Sequence, residues 1–158
     1  MINLGFYKNK KIFITGHTGF KGTWLSKILI DAEAIVKGYA LEPENNSLFK
    51  KIELEKKYIS VYGDIRDFDK LRKEFDEFNP EIVIHMAAQP LVIKSYDEPK
   101  YTYETNVMGT VNILECIRQN DSVKSFLNIT TDKVYENDDI GKPFKEEDKL
   151  NRTRSIFK

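Results

Sequence analysis

Lys11-Ile12-Phe13-Ile14-Thr15-Gly16-His17-Thr18-Gly19-Phe20-Lys21-Gly22 passes without a break from an apolar, β-rich run into a turn punctuated by glycine. The run has the composition of a strand buried on both faces. Residues 23–32 follow with Trp24, Leu25, Ile28 and Leu29 at helical spacing, so a helix opens directly after the turn. Gly16, Gly19 and Gly22 have G-x-x-G-x-x-G spacing. Glycines there permit a tight turn and a close approach of backbone to a pyrophosphate, and a helix start supplies N–H groups and the positive end of its dipole. Three glycines alone are weak evidence, and a tight turn that binds nothing is the plain alternative. Their place between a first strand and an amphipathic helix favours dinucleotide binding. His17 either touches a phosphate or only fills a turn position.

Strand and helix patterns alternate from this point onward. Residues 34–41, 58–62, 81–86 and 125–130 read as further strands. Residues 68–78 place Phe68, Leu71, Phe75 and Phe78 on one helical face, and Asn79-Pro80 stops that helix. Residues 101–119 read as one long helix with a stripe of Val107, Val111, Leu114 and Ile117, and residues 42–57 as loop with a short helix. The alternation specifies a parallel sheet with right-handed crossovers and helices on both faces. The expected class is α/β, a Rossmann-like doubly wound sheet of which this is the N-terminal part only. Asp64, at the end of the third strand, is placed to accept from an adenine amino group; its alternative role is a helix N-cap, which Asp67 could supply instead. The second strand's end, Gly38-Tyr39-Ala40-Leu41-Glu42, does not decide NAD against NADP.

The chain has 158 residues, enough for one domain, with 25 basic and 25 acidic side chains. That balance gives no electrostatic footprint for nucleic acid. Residues 1–11 lack a secretory h-region, and no window approaches the ~18 apolar residues of a membrane span. The single Cys116 cannot form an internal disulfide, in keeping with a cytoplasmic protein.

Several segments together resemble the extended short-chain dehydrogenase/reductases, most closely the CDP-glucose 4,6-dehydratase branch. They are the glycine turn extended through Thr23-Trp24-Leu25, Gly38-Tyr39-Ala40-Leu41 and His85-Met86-Ala87-Ala88-Gln89-Pro90-Leu91-Val92. Two more are Thr102-Tyr103-Glu104-Thr105-Asn106-Val107-Met108-Gly109-Thr110-Val111-Asn112 and Thr130-Thr131-Asp132-Lys133-Val134-Tyr135-Glu136-Asn137. Lys133 after Asp132 points to the CDP-glucose branch. The resemblance implies NAD as cofactor, held by Gly16, Thr18, Gly19, Phe20, Lys21, Gly22, Asp64, Ile65, Ala87, Ala88, Thr105 and Thr130. It implies CDP-glucose as substrate, faced by Gln89 and Asn106, and a homodimer as the family's usual assembly; it assigns no metal.

The implied reaction is redox-neutral. Hydride leaves C4 of the hexose, water is lost across C5 and C6, and hydride returns to C6, giving CDP-4-keto-6-deoxyglucose. Thr131 would hydrogen-bond the C4 oxygen, and Asp132 would protonate the departing hydroxyl, which requires a carboxyl kept protonated. Lys133 is either the C5 base, its pKa lowered by burial or a neighbouring cation, or an electrostatic anchor for the enolate. Tyr135 is expected to pack below the site.

The same resemblance calls for a Tyr-x-x-x-Lys pair after the fifth strand, and none follows Asn137. Tyr7/Lys11 and Tyr96/Lys100 match the spacing but fall at the wrong places. After Leu150 the expected Asp-Pro-Tyr-Ser gives way to Asn151-Arg152-Thr153-Arg154-Ser155-Ile156-Phe157-Lys158. Codons can be chosen for this tail that, displaced by one nucleotide, spell Thr-Gly-His-Asp-Pro-Tyr-Ser. The expectation is therefore an incomplete NAD-binding domain over 1–150, an out-of-frame tail over 151–158, no substrate lobe, and no turnover. Another nucleotide-sugar epimerase or dehydratase, or a non-catalytic nucleotide-binding remnant, are the alternatives.

Overall fold

In a computed structural model that describes residues 4–131, 135–136, 141 and 143–150, the alternation becomes one parallel sheet with helices on both faces. The elements run β1 (Lys11–Thr15), α1 (Phe20–Asp31), β2 (Ile35–Ala40), α2 (Leu48–Lys51), β3 (Ile59–Tyr62), α3 (Phe68–Phe78), β4 (Ile82–His85), α4 (Val92–Asp97), α5 (Pro99–Tyr103), a π-helical turn (Glu104–Met108), α6 (Gly109–Arg118) and β5 (Ser125–Asn128). The sheet order is β3-β2-β1-β4-β5. The chain thus winds outward from β1 in one direction, then returns to β1's other side. Between β1 and β4 the order reverses, which opens a crevice at the carboxyl ends of those strands.

Period-2 alternation divides the core in two. Phe13 of β1 packs with Tyr39, Leu71, Phe75, Phe78, Val83, Ile113 and Cys116 under α3 and α6. Its neighbours Ile12 and Ile14 point through the sheet to Leu29, Val36, Ile82 and Ile84 under α1. The helix α3 follows its sequence pattern closely. Asp67 caps it by accepting from the Lys70 N–H, and Asn79 ends it in the left-handed conformation at φ 53°. Lys37, buried in β2, fastens α3 to the sheet by donating to the Glu74 carbonyl at 2.8 Å and pairing with its carboxylate at 2.6 Å.

Two helical faces differ from the sequence pattern. In α1 the buried residues are Gly22, Thr23, Ser26 and Leu29, while Trp24 and Ile28 are exposed. The helix begins at Phe20, and its small residues allow it to lie close against the turn. Residues 101–119 are not one uniform helix but α5, the π-helical turn and α6. Their buried face carries Thr102, Thr105, Gly109, Ile113 and Cys116, whereas Val107, Val111 and Leu114 face outward. Of the expected stripe, only Ile117 packs against the core. Hydrophobicity pointed to the outer face because the inner face is built of small and hydroxylated side chains.

Beyond β5, Tyr135 pairs as an antiparallel bridge with Leu150 and stacks on Phe144 at 5.0 Å. Residues 151–158, the expected tail, lie outside the described residues. In the monomeric chain, Ile113→Ala should cost about 2–5 kcal/mol and Leu114→Ala at most ~0.5 kcal/mol. Urea denaturation of the two variants checks which face is the core.

Candidate functional site

The crevice is built from the ends of β1 and β4 upward. Thr15 closes β1 fully buried, in register with Tyr39 on one side and His85 on the other. Its hydroxyl lies 2.6 Å from His85 Nδ1 and accepts from the Met86 and Ala87 N–H groups at 3.1 and 3.2 Å. On the far side of the ring, His85 Nε2 is 3.2 Å from the Thr110 hydroxyl, which itself donates to the Asn106 carbonyl at 2.7 Å. These bonds assign the tautomer. Thr110's proton is engaged by Asn106, so His85 Nε2 carries the hydrogen and Nδ1 accepts from Thr15. One hydrogen-bonded line therefore runs from β1 through β4 to the π-helical turn.

Directly after Thr15, Gly16 takes φ +75°, and its N–H donates to the Tyr39 carbonyl at 2.9 Å. A Cβ there would stand 2.8 Å from the Ala87 nitrogen, and one on Gly22 would stand 2.2 Å from the Gly16 carbonyl oxygen. Both positions need glycine, and the start of α1 is drawn down onto the turn. Gly19 is its N-cap, without a side-chain capping bond and with no acid in the first turn. The N–H groups of Phe20, Lys21 and Gly22 have no carbonyl to bond within a helix that starts there. The turn thus has the free donors, dipole and open approach that a pyrophosphate requires. Thr18 braces it by donating to the Leu41 carbonyl at 3.0 Å.

His17 faces away from that opening. It is fully buried, with Nε2 2.8 Å from the Ser60 hydroxyl and its ring edge-on to Phe49 and Tyr58. It fills a turn position and ties the glycine turn to β3. Burial lowers the pKa of both His17 and His85 to about 4.

The other expected site residues fall around the crevice. Ala87 and Ala88 follow β4, with Ala88 exposed. Asp64 and Ile65 follow β3; Ile65 is buried, and Asp64 is not the cap of α3, since Asp67 fills that place. Thr105 is buried with no hydrogen-bond partner for its hydroxyl among the described residues. Asn106 grips the backbone of Gln89, accepting its N–H at 2.7 Å and donating to its carbonyl at 3.1 Å. The Gln89 side chain is folded back as well, bonded to both backbone groups of Leu91 and to Thr102. These two residues hold the loop after β4. Thr130 and Thr131 are exposed beyond β5. Asp132 and Lys133 lie outside the described residues. Sequence reasoning assigned no role to Thr15, His85 or Thr110, although a hydroxyl and a ring at the ends of adjacent buried strands was the available signal.

The profile of the GDP-mannose 4,6-dehydratase family matches residues 13–155. The chain belongs to this family. Within the GDP-mannose 4,6-dehydratase family and its relatives, it is 56% identical over 138 residues to a CDP-glucose 4,6-dehydratase of Salmonella typhimurium, which covers 87% of this chain and 38% of that protein. Among solved structures it is similar to the epimerase Mth375 of Methanothermobacter thermautotrophicus, with a TM-score of 0.81 and 27% identity over 95% of this chain and 43% of that one. It is also similar to the UDP-glucose 4-epimerase of Thermus thermophilus in complex with NAD, with a TM-score of 0.75 and 27% identity over 89% of this chain and 44% of that one. The chain spans about two fifths of the length of these relatives.

The two histidines give the fold a pH dependence. Unfolded, each titrates near 6.5; folded, near 4, so between these values the unfolded chain binds more protons. Stability contributed by their neutral forms is complete above pH 6.5 and is lost as pH falls toward 4, by up to about 1.4 kcal/mol per pH unit for each ring. Urea midpoints measured from pH 7.5 down to pH 4.5 should fall across this window and level off above it.

Proposed function

We propose that the chain is the dinucleotide-binding part of a CDP-glucose 4,6-dehydratase and that its glycine turn holds NAD. The observation that carries this reading is the uncapped start of α1, drawn against Gly16 at the switch point between β1 and β4. The 56% identity to the Salmonella enzyme supports the CDP-glucose branch, as does Lys133 following Asp132. The NAD named for the Thermus neighbour supports the choice of cofactor.

In this reading Gly16, Thr18, Gly19, Phe20, Lys21 and Gly22 surround the pyrophosphate. Asp64 and Ile65 meet the adenine, and Ala87, Ala88, Thr105 and Thr130 line the path toward the nicotinamide. Bound NAD would accept hydride from C4 of the hexose and return it at C6. Thr131 would hold the C4 oxygen, Asp132 would protonate the leaving C6 hydroxyl, and Lys133 would take the C5 proton or steady the enolate. Gln89 and Asn106 would shape the sugar side. The Tyr-x-x-x-Lys pair that the resemblance calls for at the C4 hydroxyl is not among residues 138–158, so the roles assigned to these residues leave that hydroxyl without its base.

Calorimetric titration of the purified chain with NAD should therefore show one site, while incubation with NAD and CDP-glucose yields no 4-keto sugar. Absence of NAD binding would sink the assignment of the turn. Turnover well above a no-enzyme control would overturn the need for the missing pair.

A second copy of the chain is the partner we infer for the outer face of the π-helical turn and α6. Val107, Val111 and Leu114 form an apolar stripe there, and Met108 adjoins it. Sedimentation should show a concentration-dependent dimer that Val111→Glu together with Leu114→Glu returns to monomer. No helix among the described residues is long and apolar enough to cross a membrane. A cytoplasmic setting fits the buried, unpaired Cys116, whose thiol burial pushes up to about 12.

A further inference from the structure

Arg66 stands four residues beyond the end of β3 and two beyond Asp64, and the described contacts of its guanidinium meet at one corner with Asp64, Glu104 and Tyr101. Its Nε lies 3.1 Å from each Asp64 carboxylate oxygen, and Nη2 lies 2.7 Å from Oδ2. Its own backbone N–H donates to Oδ1 at 2.9 Å. The remaining prong, Nη1, reaches the Glu104 carboxylate at 3.2 Å in the π-helical turn. The guanidinium carbon lies over the Tyr101 ring at 4.6 Å from its centre, and the Lys94 ammonium is set at the same distance. Arg66 is thus held on three sides, and it holds Asp64.

The count of hydrogen-bond donors gives this grip a chemical meaning. A carboxylate offers about four acceptor directions. The Arg66 N–H and one branch of Nε–H fall on Oδ1, and the other branch and Nη2–H fall on Oδ2, so three donors serve the four directions by sharing Nε–H. A ligand donor can take over one branch of that shared bond without displacing a donor of its own direction, and the Asp64 side chain is 28% exposed, so a ligand can reach it. Hydrogen bonding from Arg66 also keeps this carboxyl below its ordinary pKa, so near neutral pH it offers only acceptors. An acceptor fixed in one orientation favours a base edge bearing an amino group and repels one bearing a carbonyl oxygen.

We propose that Arg66 is the positioning residue for base recognition, orienting Asp64 so that the site takes an adenine dinucleotide and rejects its 6-oxo counterpart. The inference rests on the NAD reading above. Because Arg66 also bonds Glu104 and stacks on Tyr101, it joins the base corner to the helix that carries Thr105 and Asn106.

The test compares calorimetric titrations of the full chain with NAD and with nicotinamide hypoxanthine dinucleotide, which replaces the adenine amino group with oxygen. The unmodified chain should prefer NAD by about tenfold or more, the usual size of a charge-assisted hydrogen bond. Arg66→Ala should weaken NAD about tenfold, leave the hypoxanthine dinucleotide within about twofold, and so erase the preference. Arg66→Lys keeps the charge without the two-pronged grip and should keep only part of it. Glu104→Gln, which takes the charge from one anchor of Arg66 and leaves Asp64 untouched, should lower the preference by a smaller factor; it serves if Arg66→Ala fails a thermal-melt check of folding. An Arg66→Ala chain that weakens both dinucleotides equally would show a merely structural residue and overturn the proposal. So would Arg66→Lys or Glu104→Gln with an undiminished preference, or an unmodified chain that binds both dinucleotides alike. If the unmodified chain binds neither, the NAD reading itself falls, and this inference with it.

Discussion

The hydroxyl of Thr15 is the point from which the site is built. It sits in the dry seam between the two layers of core, where a polar atom without partners would cost about 1–3 kcal/mol. Here it has three: His85 Nδ1, the Met86 N–H and the Ala87 N–H. Those bonds fix how far β4 extends past β1 and where the chain turns away from the sheet. Gly16 follows at once with its positive φ, and a Cβ there would meet the Ala87 nitrogen and the Met86 carbonyl at 2.8 Å. Through His85 and Thr110 the same hydroxyl is connected to Asn106, which in turn holds Gln89. In a low-dielectric interior such a network is rigid when every member is satisfied. The crevice therefore has walls whose relative positions are set by hydrogen bonds and a floor set by apolar packing.

Much of the fold can be read directly from the residues. Ile12 to Ile14 make a strand buried on both faces, and Phe68 to Phe78 make a helix that begins and ends where its cap and its stop residues say. The failures share one physical cause. The inner face of α1 is Gly22, Thr23 and Ser26, and the inner face running into α6 is Thr102, Thr105 and Gly109 before any large apolar residue appears. Where elements approach closely, small side chains are buried and larger apolar ones are left outside. Hydrophobic periodicity then identifies the wrong side. The π-helical turn is likewise invisible to a pattern that assumes uniform pitch.

The candidate site was legible to the degree that it depends on backbone. Glycine spacing after a strand and before a helix locates the turn because φ at Gly16 and contact at Gly22 exclude other residues. The side-chain assignments are different in kind. That Gln89 bends back onto Leu91 and Thr102, or that Arg66 crosses to Glu104, depends on partners supplied by separate elements. Asp132 and Lys133, which name the chemistry in the resemblance, fall outside the described residues. The Salmonella relative supports the branch to which that pair pointed.

The His17 ring has one more consequence, which belongs to the history of the chain. The ring lies so close over Gly38 that a Cβ on that residue would meet its Cγ at 2.3 Å. Any side chain at 38 and an imidazole at 17 are therefore mutually exclusive. Shrinking His17 alone would leave a void beside Phe49 and Tyr58, and enlarging Gly38 alone would force the ring out of its seat. Either single step passes through a weakened protein, so lineages that depart from this arrangement should have replaced the two residues together. Positions 17 and 38 thus form one inherited unit, although they stand on different segments of the chain.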